Sequence, residues 1–240
     1  MIDVHSHIIF GVDDGSSFME ESVRMLEEAN KAGIKIIVAT PHFQPDIFNS
    51  EKMLEHFQQL CTRAAEFEIT VLPGYEVFMQ PFVPDLIKSN KKLTMNSSQY
   101  LLLEFPFDSI PFYSHEVIYK LQLQGIIPII AHPERNRCFV KDFGAFMEFV
   151  ESGCLVQVDA ASMLGTYGRR TKRFVKRLIK NNLVNFIASD AHCAKDYRNW
   201  YLKAYDKAKR WGGEKYTDKM FYLNASVILD KAKNDMNHLV

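Results

Sequence analysis

Short β-branched runs alternate with helix-length amphipathic segments along this whole sequence, and that alternation limits the fold more than any other feature. The runs fall at residues 2–5, 35–39, 69–72, 100–105, 126–131, 155–159 and 185–188, each the length of a buried strand. Between them, apolar residues recur every three or four positions. Val23, Leu26 and Ala29 do so within 22–32, where Gly33 is the stop signal; Met53, Leu54, Phe57, Leu60 and Cys61 share a face within 50–67. Segments 115–125, 143–153, 171–181 and 199–211 complete the series. Strand and helix repeat about seven times without a linker or a shift in composition. This predicts an α/β fold, one domain over residues 1–240 built on a parallel barrel or sheet. Segment 80–98, with Pro81, Pro84 and a polar turn at 89–92, reads as the loosest part, and 216–236 as a closing helix pair.

Composition narrows the function classes. At 47% hydrophobic and 24% charged, the 240 residues can bury a large core. Lys plus Arg and Asp plus Glu both number 29, so no net charge draws the chain to nucleic acid or an anionic membrane. The longest apolar stretches, such as 125–131, are strand-sized and interrupted by Pro128, so no membrane segment is expected. A strand starting at Ile2 leaves no secretory signal, and Cys61, Cys138, Cys154 and Cys193 are too scattered for a disulfide framework. The expectation is a cytoplasmic protein with reduced thiols.

The polar residues carry the chemistry. The first strand ends in His5 and His7, the second runs into Thr40-Pro41-His42, and the third into Gly74-Tyr75-Glu76. The fourth runs into Glu104-Phe105-Pro106, the fifth into His132-Pro133-Glu134-Arg135, and the seventh into Ser189-Asp190-Ala191-His192. Six strands thus deliver a His, Asp or Glu at the C-terminal end, where parallel α/β barrels build their active sites. The first loop adds Asp13 and Asp14. A lone histidine is usually a surface or satisfied core residue, and His56, His115 and His238 fit that description. Five at equivalent strand ends among carboxylates do not, because without a metal so many polar groups would be hard to desolvate together. The donors are all nitrogen or oxygen, which favours Mn, Zn or Fe over a thiolate zinc site. The set exceeds one ion's need, so two or three ions about 3.5–4 Å apart would share bridging carboxylates.

These motifs together resemble the PHP (polymerase and histidinol phosphatase) superfamily, most closely the bacterial tyrosine-protein phosphatases of the CpsB/CapC type. The resemblance is carried by Asp3-Val4-His5-Ser6-His7, Val12-Asp13-Asp14-Gly15, Thr40-Pro41-His42, Glu76 and Glu104-Phe105-Pro106. It continues through Ala131-His132-Pro133-Glu134-Arg135-Asn136, Gln157-Val158-Asp159-Ala160 and Ser189-Asp190-Ala191-His192. It implies a distorted parallel (β/α)7 barrel of the PHP type, TIM-barrel-like, with metal ligands His5, His7, Asp14, His42, Glu76, Glu104, His132, Asp190 and His192. It further implies up to three ions, usually Mn2+, and a substrate that is the phosphotyrosine-bearing tail of a bacterial kinase controlling capsule or exopolysaccharide synthesis.

The expected reaction is hydrolysis of a phosphomonoester by metal-activated water. Arg135, three residues after His132, is the best candidate to meet the phosphate oxygens, and Arg198, six after His192, is a second. A cysteine nucleophile needs an arginine six positions on; the four cysteines place Phe67, Gly144, Ala160 and Asn199 there, so that chemistry is excluded. The rivals are a small-molecule phosphatase such as one acting on histidinol phosphate, a metal-dependent amidohydrolase, and a non-catalytic metal-binding module. Glu104, standing where amidohydrolases often carry a bridging lysine, favours the phosphoesterase. Residues 169–180 form a basic helix face opposite Phe174, Val175, Leu178 and Ile179. It is a solvated face or a docking surface for an acidic tail or another subunit, as in a homo-oligomer. Phe43, Phe48, Phe107 and Phe112 lie just beyond strand ends, where they can line a ring pocket or pack as rim.

Overall fold

The computed structural model describes residues 1–229 apart from Asn49. Its strands are β1 (Ile2–Ser6), β2 (Ile36–Ala39), β3 (Thr70–Pro73), β4 (Glu76–Phe78), β5 (Tyr100–Glu104), β6 (Ile127–Ala131), β7 (Leu155–Asp159) and β8 (Phe186–Ala188). All seven predicted runs are strands, and every pairing is parallel. The departure comes after the third run: residues 69–72 give β3 alone, and an unexpected eighth strand, β4, follows it beyond Gly74 and Tyr75. Accordingly β1–β2–β3 form one sheet and β4 to β8 another. Single bridges join the two at both seams, His42 to Glu76 and Ser6 to Ala191. Pro128 is tolerated inside β6 because pairing with β7 begins one residue later, at Ile129.

The helices cover the outside: α1 (Met19–Lys31), α2 (Glu51–Ala65), α3 (Val83–Ser89), α4 (Ser114–Leu123), α5 (Arg137–Lys141), α6 (Phe143–Glu151), α7 (Ala160–Leu164) and α8 (Arg169–Lys180). Local chemistry sets their ends. Ser50 caps α2 by accepting from the Met53 N–H at 3.1 Å, and Asp142 caps α6 by accepting from Gly144 and Ala145. Gly33 takes a φ of 77° just after α1, which a side chain would resist. On α2 the inward stripe is Met53, Leu60 and Ala64, whereas Leu54, expected on that face, is 50% exposed. After β8 a short turn, Ala194–Asp196, runs through one wide π turn, Tyr197–Tyr201, into a helix at Leu202–Gly212.

Two expectations need correction or limits. Segment 80–98 is not loose: it holds α3 and two tight turns, with Leu93 and Met95 fully buried. Pro84 sits in the first turn of α3, where its missing N–H costs nothing. The closing helices are present as Glu214–Asp218 and Asn224–Leu229; residues 230–236 of that expectation, and His238, lie outside the described residues.

An inner apolar cluster includes Ile2, Val4, Val38, Met95, Leu102 and Ile129 together with Ala225 and Ile228. Its upper limit is set by an irregularity in β1. The register slips between Asp3 and Ser6, so Val4 joins the inner cluster and the next residue, His5, also faces inward. Hydrocarbon therefore gives way to imidazole within one residue.

Candidate metal centre

All nine predicted ligands meet at the C-terminal mouth of the strands. They form four overlapping groups: His7 with Asp14, His42 and His192; His5 with His7 and Asp190; His5 with Glu76 and His132; and His42 with Glu76 and Glu104. Within each group the donor atoms lie within 4.8 Å of one another. Glu76 is the hub. Its Oε1 is 2.8 Å from His132 Nε2, and its Oε2 is 3.1 Å from His42 Nδ1 and 3.3 Å from His5 Nε2. Asp190 Oδ1 lies 3.4 Å from His5 Nε2 and 3.3 Å from His7 Nε2. Asp14, from the first loop, has an oxygen 3.6 Å from both His42 and His192.

The donors fit metal ions because their other nitrogens are already committed. His7 donates Nδ1–H to Asp13 Oδ2 at 2.7 Å, His5 donates Nδ1–H to Gln157 Oε1 at 3.1 Å, and His192 donates Nδ1–H to the Asp190 carbonyl at 3.0 Å. Each bond fixes the tautomer that leaves Nε2 with its lone pair facing the mouth. Gln157 is itself oriented, since its Nε2 donates to Asp159 Oδ1 at 3.0 Å. Asp13 and Gln157 thus orient candidate ligands, a role that residue type and spacing did not disclose. His132 and Asp190 have φ values of 29° and 48°, a left-handed backbone that non-glycine residues rarely adopt. At His132 the turn swings the ring from the strand into the mouth.

The electrostatics are those of a cation trap. Burial opposes ionisation of Glu76, yet the charges and hydrogen bonds of His5, His132 and His42 hold its carboxyl well below the usual range. Burial likewise opposes protonation of His132, but Asp159 and Glu76 push it up to about 10; His5, His7 and His42 are raised in the same way. Glu104 moves the other way, raised by burial and then by the charge of Glu76. The carboxylates thus favour positive charge within the donor cluster, whether a proton or a metal ion supplies it.

The mouth opens into a cavity of about 270 Å3 whose rim adds Phe78, Phe107 and Arg135 to the ligands. Arg135 donates to Asp190 Oδ2 at 2.7 Å and lies 3.7 Å from Asp159 Oδ2; these charges keep it ionised despite burial. Its guanidinium sits between the rings of Phe107, at 4.6 Å, and Tyr167, at 4.9 Å. Arg198 is not brought here. The wide turn at 197–201 directs it to α1, where it forms a two-pronged pair with Glu28, both bonds 2.9 Å. Of the four expected aromatics only Phe107 lines the cavity. Phe43 and Phe48 pack on Tyr75, and Phe112 is 96% exposed. His56 and His115 are ordinary, stacked on Phe10 and Phe149. All four cysteines are unbridged, and burial pushes the Cys154 thiol up to about 12.

Known proteins share this plan. The profile of the family described as "Capsular polysaccharide synthesis, CpsB/CapC" matches residues 1–230. Tyrosine-protein phosphatase YwqE of Bacillus subtilis (strain 168) is 38% identical over 220 residues, covering 89% of this chain and 86% of its own. Tyrosine-protein phosphatase CpsB of Streptococcus agalactiae is 30% identical over 238 residues, covering 95% and 98%. A crystal structure from the study of YwqE and Streptococcus pneumoniae CpsB, "unique metal-dependent tyrosine phosphatases", superimposes with a TM-score of 0.85 at 33% identity, covering 98% of this chain and 95% of that one.

Proposed function

Because the chain belongs to the CpsB/CapC family of capsular polysaccharide synthesis, we propose that it is a metal-dependent protein-tyrosine phosphatase. The observation that carries this reading is the convergence of nine nitrogen and oxygen donors beneath a single ordered guanidinium, Arg135. We read the two sheets, bridged at both seams, as one distorted (β/α)7 barrel of the PHP type, and residues 1–240 as a single metallophosphoesterase domain. His5, His7, Asp14, His42, Glu76, Glu104, His132, Asp190 and His192 would hold two or three ions; Mn2+ is the ion we favour from the family resemblance, and the thiolate-free imidazole and carboxylate set also suits Zn2+ or Fe. Such ions, when bound, lower the pKa of a water and neutralise phosphate charge.

The chain's own residues supply the rest. Arg135 presents N–H donors to the non-bridging phosphate oxygens. Asp190 and Asp159 hold that fork in place, and Phe107 and Tyr167 lie against it and shield it from water. Phe78 and Phe107, 42% and 41% exposed at the rim, offer apolar surface to a phenyl ring. The phenolate of tyrosine, with a pKa near 10, leaves readily, so the scheme requires no strong general acid. The substrate we favour is the phosphotyrosine-bearing tail of a bacterial tyrosine kinase acting in capsule or exopolysaccharide synthesis, met in the cytoplasm. Among the described residues no helix is long and apolar enough to cross a membrane.

The test is to purify the protein, count its bound metals and compare turnover of phosphotyrosine peptides, phosphoserine peptides and histidinol phosphate, with His5→Ala as control. Preference for phosphotyrosine, lost in His5→Ala, is the expected result. Preference for histidinol phosphate would sink the protein-phosphatase reading while leaving the metal centre standing.

A further inference from the structure

Helix α8 reads RRTKRFVKRLIK: seven basic residues, no acid, in a chain whose net charge is zero. Its buried face is Thr171, Phe174, Val175, Leu178 and Ile179. The cations are not simply splayed into water on the other side. Arg169, Lys172, Arg173 and Lys176 line one wall of a groove of about 350 Å3, and Lys207 and Trp211 from the Leu202–Gly212 helix form the other. None of these five cations is paired with a carboxylate among the described residues.

Lys172 and Lys207 are both half-buried, and they face each other. Lys172 is tethered by donating Nζ–H to the Leu164 carbonyl at 3.4 Å. Burial, and after it the neighbouring Lys172 ammonium, push Lys207 down to about 8. A flexible lysine ordinarily avoids a like charge by swinging its head into solvent. Two held together in a groove, with Trp211 flanking them 5.5 Å from Lys207 Nζ and 5.9 Å from Lys176 Nζ, form a site preorganised for an anion next to a flat apolar group.

The helix that walls the groove starts close to the mouth. The connection from α7 to α8 carries Tyr167, whose ring covers Arg135, and the cationic stripe starts two residues later at Arg169. From Arg169 to Lys176 the helix rises about 10 Å. An extended peptide covers that with about three residues.

We propose that the groove between α8 and the Leu202–Gly212 helix is an exosite that binds an acidic or phosphate-bearing stretch of the protein substrate while its phosphotyrosine occupies the mouth. The proposal rests on the phosphatase reading above for the identity of that substrate. It gives the basic helix a task separate from chemistry: it sets KM for protein substrates and leaves kcat alone.

The test uses the full metal-loaded chain and three substrates: p-nitrophenyl phosphate, a phosphotyrosine peptide with neutral flanks, and the same peptide with glutamates on both sides. The wild type should show a lower KM for the acidic peptide, an advantage erased by high salt. In the Lys172→Glu/Lys207→Glu variant KM for the acidic peptide should rise about tenfold with kcat unchanged, and p-nitrophenyl phosphate kinetics should not move. Lys172→Gln/Lys207→Gln serves if the charge reversal lowers Tm, and should give a smaller rise of the same kind. Equal KM values for the two peptides in the wild type, or an unchanged ratio in the variants, would overturn the exosite. So would variants that lose anisotropy-detected binding of labelled polyphosphate but keep the acidic peptide. If the wild type turns over no phosphotyrosine substrate, the phosphatase reading fails instead, and anisotropy of the labelled acidic peptide still decides the groove.

Discussion

His7 and Asp13 share a 2.7 Å hydrogen bond on the side of the ring away from the mouth, and that bond turns His7 Nε2 toward Asp190. Asp13 also accepts from the His42 and Gly15 backbone N–H groups at 3.0 Å each, so one carboxylate ties together two ligands and the loop that carries Asp14. Asp13→Ala should therefore weaken metal binding by about 10- to 100-fold without unfolding the chain. Calorimetric metal titration beside a circular-dichroism spectrum checks it; unchanged affinity would count against an orienting role.

Under the proposed function, Arg135 binds phosphate oxygens through a planar fork held by Asp190 and flanked by two rings. Lysine keeps the charge but not the fork or the stacking. Arg135→Lys should lower kcat on p-nitrophenyl phosphate by about 10²–10³-fold, near the cost of losing a main transition-state donor. Metal content, measured by atomic spectrometry, should stay at the wild-type value.

Without a bound ion the carboxylates raise His5 and His7 above their ordinary value and push His132 up to about 10, so at neutral pH His132 carries a proton that a metal must displace. Apparent metal affinity should rise with pH up to that range and fall as acid restores the protons. Titration calorimetry in two buffers of different ionisation enthalpy should reveal proton release at pH 7. Zero release would contradict the electrostatics described for the mouth.

Gly15 lies against His7 so closely that a Cβ there would land on the His7 carbonyl and side-chain root. Gly15→Ala must push the Asp13–Asp14 loop away from the ligands. We expect a loss of about 1–3 kcal/mol of stability and fewer bound ions than in the wild type, read by thermal denaturation and metal counting.

The Arg198–Glu28 pair should affect stability, not chemistry. Hydrogen bonds from Arg198, then Lys31, lower the Glu28 carboxyl from 4.5 to about 2. A depressed carboxyl stabilises the fold above its unfolded value, and that contribution is lost as pH falls from 4.5 toward 2. Arg198→Ala should lower Tm at pH 7, converge with the wild type near pH 2, and keep full turnover. A large fall in kcat would return Arg198 to the active site.

Seven of the eight strands and eight of the nine candidate ligands were legible because each is local: a run of β-branched residues, then a His, Asp or Glu where the run stops; Asp14, in the first loop, came with the family resemblance. What the sequence withheld depends on contacts across the fold. Nothing in residue type distinguishes Gln157 from a solvated amide until His5 and the His132 N–H are placed against its oxygen. Spacing from His192 made Arg198 a candidate, but spacing cannot reveal that a π turn aims it at Glu28, a residue 170 positions away. Pro84 read as a breaker because a proline signals either a break or a first turn, and only the burial of Val83 and Ile87 decides. Strand β4 is three residues long and gives no periodicity to detect.

The slip in β1 that seats His5 directly above Val4 also determines how the site exchanges with solvent. With Val4, Met95, Leu102 and Ile129 packed beneath the donors and Ile228 beneath those, nothing as polar as phosphate or tyrosine can leave downward. Among the described residues the donors open to solvent through the cavity beside Arg135, so substrate and both products would share that opening. A shared opening sets departing phosphate against the next substrate's entry, and ties turnover to how quickly the opening clears.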